Sequence, residues 1–155
     1  MQTPGLSQEY KTAALLELTG AALPRATMSE WETLLLELER LEEAWTIRLE
    51  QLRAGWRDSL LAPFEAHMAG RREEYQRFTV YLLYRHLANA ASDTDLAARA
   101  AFAVWGTRLL QALGAMQYAR TGDFTFGDQV ELARLFSAEL EYSDENLYIL
   151  LDALC

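Results

Sequence analysis

The chain is 155 residues long and 51% hydrophobic, with 23 acidic side chains against 14 basic ones and a formal net charge of -9. This length suits one domain with a true core, and the apolar content argues against disorder. The acidic balance excludes nucleic acid and anionic membrane as partners, because a phosphate surface demands concentrated Lys and Arg, whereas here Lys11 is the sole lysine and the arginines are scattered.

Cys155 is the only cysteine, so one chain can build no disulfide, zinc or iron–sulfur site. The opening MQTPGLSQEYK lacks the basic-then-apolar pattern of a signal peptide. The longest charge-free helical run, residues 109–119, is too short to span a bilayer. The cytoplasm is the expected compartment.

In chain order, residues 1–6 read as a flexible lead-in. Ser7 is placed to cap a first helix with Ala14, Leu15 and Leu18 as its apolar stripe, ending at Gly20 to Pro24. Ser29 and Glu32 have capping-box spacing for a second, long helix over residues 30–53. On it Leu34, Leu38, Leu41, Trp45 and Leu52 approach a heptad seam, with Trp31 one turn ahead and Arg48 in a seam position. Glu37, Glu39, Glu42, Glu43 and Glu50 cover the other side as a solvated face. Fewer than three heptads favours an amphipathic bundle helix over a coiled coil. Gly55 marks a break, Pro63 interrupts a shorter helical piece over 56–68, and Gly70 closes it.

An aromatic helix follows over 71–91. Tyr75, Phe78, Tyr81, Leu82 and Tyr84 recur three or four residues apart, and the polar heads Arg85 and His86 come directly after. Residues of this kind make either a packing helix with tyrosine hydroxyls at the core edge or a pocket or docking surface formed by Tyr75, Tyr81, Tyr84, Arg85 and His86. Ser92 to Asp95 combine a turn with a helix start. Only Arg99 and Arg108 are charged between residues 96 and 119, so that helix is expected to be buried nearly all round. Thr121-Gly122-Asp123 ends it. Thr125 and Asp128 have capping-box spacing, with Phe124 stapling onto Gln129 or Val130. The next helix runs to about Glu141, with Val130, Leu132, Leu135, Phe136 and Leu140 inward and Glu139 and Glu141 in solvent. Ser143, backed by Asp144 and Glu145, starts the last helix, to Leu154. The pattern predicts an all-α, single-domain bundle of about five to six helices around a buried central one. Residues 7–69 supply the N-terminal helices and 70–155 the aromatic and central core.

Chemical constellations are sparse. His67 and His86 have Phe64 and Leu83 three residues earlier, so the Glu-x-x-His pattern of di-iron bundles is absent. HExxH, a phosphate-binding glycine loop and GxSxG are absent too. His86 beside Arg85 could serve as a general base, although packing is the commoner role of such a histidine. No catalytic or metal residue is assigned.

Three ordered blocks carry a family resemblance. The first is Glu74-Tyr75 with Val80-Tyr81-Leu82-Leu83-Tyr84-Arg85. The second is Asp95-Leu96 opening a long small-residue helix. The third is Phe124-Thr125-Phe126 with Glu131-Leu132-Ala133-Arg134-Leu135, followed by Ser143 and Glu145-Asn146-Leu147. In order and spacing, residues 73–154 resemble the C-terminal region of bacterial flagellin lysine-N-methylases, the FliB-type proteins. The resemblance implies a part in methylating lysine side chains of flagellin or another lysine-bearing protein. It also implies that an iron–sulfur or metal cluster, and a methyl donor such as S-adenosylmethionine, belong to an N-terminal part with a cysteine cluster that this sequence does not contain. The expected role is therefore a helical accessory or substrate-holding portion, catalytically incomplete alone. The alternative is a non-enzymatic interaction module that forms a homodimer through the Trp31–Leu52 seam.

Overall fold

The computed structural model describes residues 28–88 and 96–154; the expected lead-in, the first helix, the Ser92–Asp95 turn and Cys155 lie outside them. Seven α-helices occur among the described residues: α1 Met28–Glu37, α2 Glu43–Gly55, α3 Leu61–His67, α4 Arg72–Leu87, α5 Leu96–Thr121, α6 Phe126–Phe136 and α7 Asp144–Ala153. Short 3-10 turns at Asp58–Leu60 and Ala69–Arg71 flank α3, and a π-helical turn, Ser137–Glu141, extends α6. The described residues contain no strand. The all-α expectation therefore holds.

Two compact units share these helices. One takes residues 73–88, 96–107 and 151–154 of the described chain, and the other takes 28–72 and 108–150. In the first unit, α4 buries Tyr75, Thr79, Leu82 and His86. Their offsets of four, seven and eleven residues trace one stripe of a 3.6-residue helix. In α5 of the same unit Ala98, Ala100, Ala101, Phe102, Ala103, Val104 and Trp105 are all buried, and Phe102 meets His86 of that stripe. Thr79 Oγ1 lies 2.7 Å from Thr107 Oγ1, and each hydroxyl also reaches the carbonyl four residues earlier on its own helix. The two threonines thus satisfy each other inside an apolar contact, where an unpaired hydroxyl would be costly.

In the second unit Leu109, Leu110, Ala112, Leu113, Ala115 and Met116 continue the buried run of α5. The helix is buried nearly all round, as its composition predicts. A Cβ on Gly55, the last residue of α2, would come within 3.0 Å of the Met116 side chain. Glycine there permits the close approach. Phe64 of α3 meets Phe124 edge-on at 5.4 Å between ring centroids, and both rings are fully buried. Gly122, at φ +76°, turns the chain after α5 in the left-handed region that closes many helices. Thr125 and Asp128 form the expected reciprocal capping box at the start of α6.

Five expectations are corrected. The long helix over 30–53 is two helices, broken across residues 38–42. Leu41, placed on the seam by its spacing, sits in that break and is 69% exposed. Ser29 is not a cap, because it lies inside α1, where its carbonyl accepts from Thr33 Oγ1; Glu32 is buried. Val130 points outward and is no staple partner for Phe124, because α6 buries the Gln129, Leu132, Leu135 and Phe136 face. Glu139 and Glu141 are buried, at 1% and 4% exposure, because the π turn adds a residue to the coil and rotates them inward.

Candidate functional site

The five residues of the aromatic helix do not converge. Tyr75 and His86 lie in the interior, where the His86 ring meets Phe102 edge-on at 4.9 Å, whereas Tyr84 is 83% exposed. Tyr81 is also exposed, and its hydroxyl accepts a hydrogen bond from Arg85 one turn on, at 3.1 Å. The helical period separates them: Tyr75 and His86 share the buried stripe, and Tyr81 and Tyr84 fall outside it.

The polar chemistry of the second unit gathers instead where the α1–α2 break meets the π turn and the start of α7. The Glu139 carboxylate accepts from the backbone N–H of Leu41 at 2.9 Å and of Glu42 at 2.7 Å. Asn146, only 2% exposed, donates through its side-chain amide to the carbonyls of Glu39 and Glu139, each at 2.9 Å. Arg40 turns back onto α1, donating to the Leu36 and Leu38 carbonyls, and its Nε donates to Thr46 Oγ1 on α2 at 3.0 Å. A helix break orphans carbonyls on one side and amides on the other. Here each kind is taken up by a side chain, and the negative carboxylate stands at the N-terminus of α2, where the helix dipole favours it. Glu42 has the extended backbone of a cap yet makes no cap bond with its own side chain.

Beside this joint, Arg134 of α6 forms paired 2.9 Å bonds to the Glu42 carboxylate and also binds Glu131. Those hydrogen bonds hold both carboxyls below the ordinary carboxylate range and raise Arg134 further. Arg48 donates to Gln117 Oε1 at 2.9 Å, and burial pulls its guanidinium down. At the other end of the unit, His67 stacks on Tyr118 at 4.5 Å with its Nε2 3.3 Å from the Phe124 carbonyl. Arg71 donates to that same carbonyl. These groups pin the α5–α6 connection.

The surface around the α1–α2 joint differs from its buried floor. Leu41 and Tyr142 are each more than two-thirds exposed, and Glu39, Glu43, Asp144 and Glu145 are exposed next to them in sequence. Among the described residues no group of three His, Cys, Asp or Glu side chains could hold a metal ion, and no helix is long and apolar enough to cross a membrane.

Such features define an acidic all-α domain whose buried polar groups join helix ends. The chain belongs to the family of FliB lysine N-methylase C-terminal domains, whose family model matches residues 6–154. The match extends the resemblance carried by residues 73–154 over most of the N-terminal half. No match was found among curated proteins or among solved structures.

Sequence reasoning missed Glu139, Asn146 and Arg40 as the joint. No local signal could have found it, because residues 38–42 contain no cap, Gly or Pro.

Proposed function

We propose that this domain is the substrate-holding or accessory part of a flagellin lysine-N-methylase-like protein and does not complete the methylation chemistry itself. Family membership supports the methylase connection. The observation that favours substrate holding is the α1–α2 joint, where exposed Leu41 and Tyr142 are flanked by Glu39, Glu43, Asp144 and Glu145. Apolar anchors ringed by carboxylates suit a lysine-bearing protein segment, with the net charge of -9 steering its approach. An iron–sulfur cluster needs several thiolates, and the sequence has one cysteine. No step through such a cluster is assigned to these residues.

Binding of the purified chain to flagellin, or to lysine-rich flagellin peptides, tests the proposal. Binding is expected at low ionic strength and should weaken steeply with salt. Glu39→Lys with Asp144→Lys should weaken it by roughly tenfold or more, in proportion to the lost opposite-charge contacts. Absence of binding at low salt, or equal binding by the charge-reversed protein, rules out substrate holding at this surface.

The second reading is the dimerisation module. Trp31, Leu38, Trp45, Leu49 and Leu52 are buried within the chain, and Leu41 is turned out at the break. A seam between two copies therefore requires the helical hairpin to open.

A further inference from the structure

The segment that breaks the helix, Leu38-Glu39-Arg40-Leu41-Glu42, is built from strong helix formers and contains no Gly, Pro or short capping residue. On intrinsic preference it continues α1 straight into α2. What interrupts it comes from 97 to 107 residues away: Glu139 on the Leu41 and Glu42 amides, and Asn146 on the Glu39 carbonyl. The break is a tertiary imposition on a helical sequence. A conflict between local preference and global fold of this kind leaves the helical conformation to be taken up once the tertiary bonds are lost.

We propose that Glu139 and Asn146 form a latch, and that its release lets α1 and α2 fuse into one continuous helix, which carries α1 onto a second copy of this chain. The occupant of the vacated α1 site is the partner copy's α1. That helix brings the same Trp31, Leu35 and Leu38 side chains that are buried in the closed form, so the exchange refills the apolar site that α1 leaves. The exposed linker gains what the joint loses, because four or five helix-forming residues enter a regular helix. The notional seam of residues 30–53 is thereby realised only in the opened form. The proposal does not depend on whether the joint's surface binds a lysine-bearing segment.

Sedimentation equilibrium and light scattering on the full chain test it. Glu139→Ala removes the bonds to both the Leu41 and Glu42 amides and should strengthen self-association by roughly tenfold or more, since the loss of even one hydrogen bond to a charged group corresponds to about that factor. Adding Leu41→Pro to that variant should return it to the parent's association state. With Glu139 gone the residue 41 amide has no acceptor to lose, and proline bars the fused helix. Arg40→Ala keeps the carboxylate but removes the contacts to Leu36, Leu38 and Thr46. It should act in the same direction more weakly, and it serves if Glu139→Ala fails to fold. Neither Glu139→Ala nor Arg40→Ala raising self-association overturns the latch. Undiminished association after Leu41→Pro overturns the fused helix.

Discussion

Truncating Asn146 isolates the joint with the least disturbance to the core. Its side-chain nitrogen serves two carbonyls at 2.9 Å, and the residue is 2% exposed. Both partners are acceptors, so the amide orientation is dictated by the contacts themselves. Each bond contributes about 0.5–1.5 kcal/mol net, and a buried carbonyl left without a donor costs about 1–3 kcal/mol. Asn146→Ala is therefore expected to lose about 3 kcal/mol. For a protein of this size that lowers Tm by roughly 6–12 °C and the urea midpoint by about 1 M. Asn146→Asp sharpens the test, because a carboxylate would face the same two carbonyl oxygens. It should be less stable than Asn146→Ala at neutral pH and should recover in acid, where a protonated carboxyl can donate again. Paired urea titrations at two pH values measure both effects. A loss below about 1 kcal/mol for alanine, or aspartate outlasting alanine at neutral pH, would refute the account of the joint.

Other outcomes follow from the same structure. Glu32 is 5% exposed, and burial raises its carboxyl above the ordinary value of 4.5 against a smaller opposing pull from Arg53. A raised carboxyl gives stability that is complete below the ordinary value and lost as pH rises through the folded one. Glu32→Gln should therefore exceed the parent in stability at neutral pH and match it in strong acid, as read from thermal melts. Thr79→Val and Thr107→Val should each cost about 1 kcal/mol by removing the contact between the two hydroxyls, each of which keeps its own helix carbonyl, and the double variant should cost less than their sum; an additive cycle argues against the buried pair. Thr125→Ala should cost about 1 kcal/mol through the lost cap. Asp128, whose carboxyl is held low first by the Thr125 backbone N–H and next by Gln117, should stay below the ordinary range in that variant, because alanine keeps the N–H; a return to the ordinary range by NMR contradicts this. Gln129 is 8% exposed, and neither side-chain amide atom has a hydrogen-bond partner among the described residues. Gln129→Met should therefore stabilise the fold by about 1 kcal/mol in denaturant melts, and a loss of stability counts against an unmet amide.

Local chemistry announces most helix ends here because the residues that make them are neighbours in sequence. Gly55 and Gly122 mark helix ends, Thr125 and Asp128 start a helix, and the stretch from Ala100 to Met116, whose one charged residue Arg108 is exposed, is otherwise buried nearly all along, as its composition demands. The aromatic helix was equally legible as a helix. Its proposed cluster was less so, since three- and four-residue spacing also places side chains just outside the buried stripe, as with Tyr81 and Tyr84.

Sequence by itself determined that this protein is helical, acidic and equipped with one buried rod, since those properties follow from composition and a 3.6-residue period. Tertiary structure alone decided where α1 ends, and that Glu139 and Glu141 turn inward. The reason is physical: a carboxylate and an amide from distant segments supply the hydrogen bonds that the helix-forming residues 38–42 give up. No window of sequence contains both sides of that exchange.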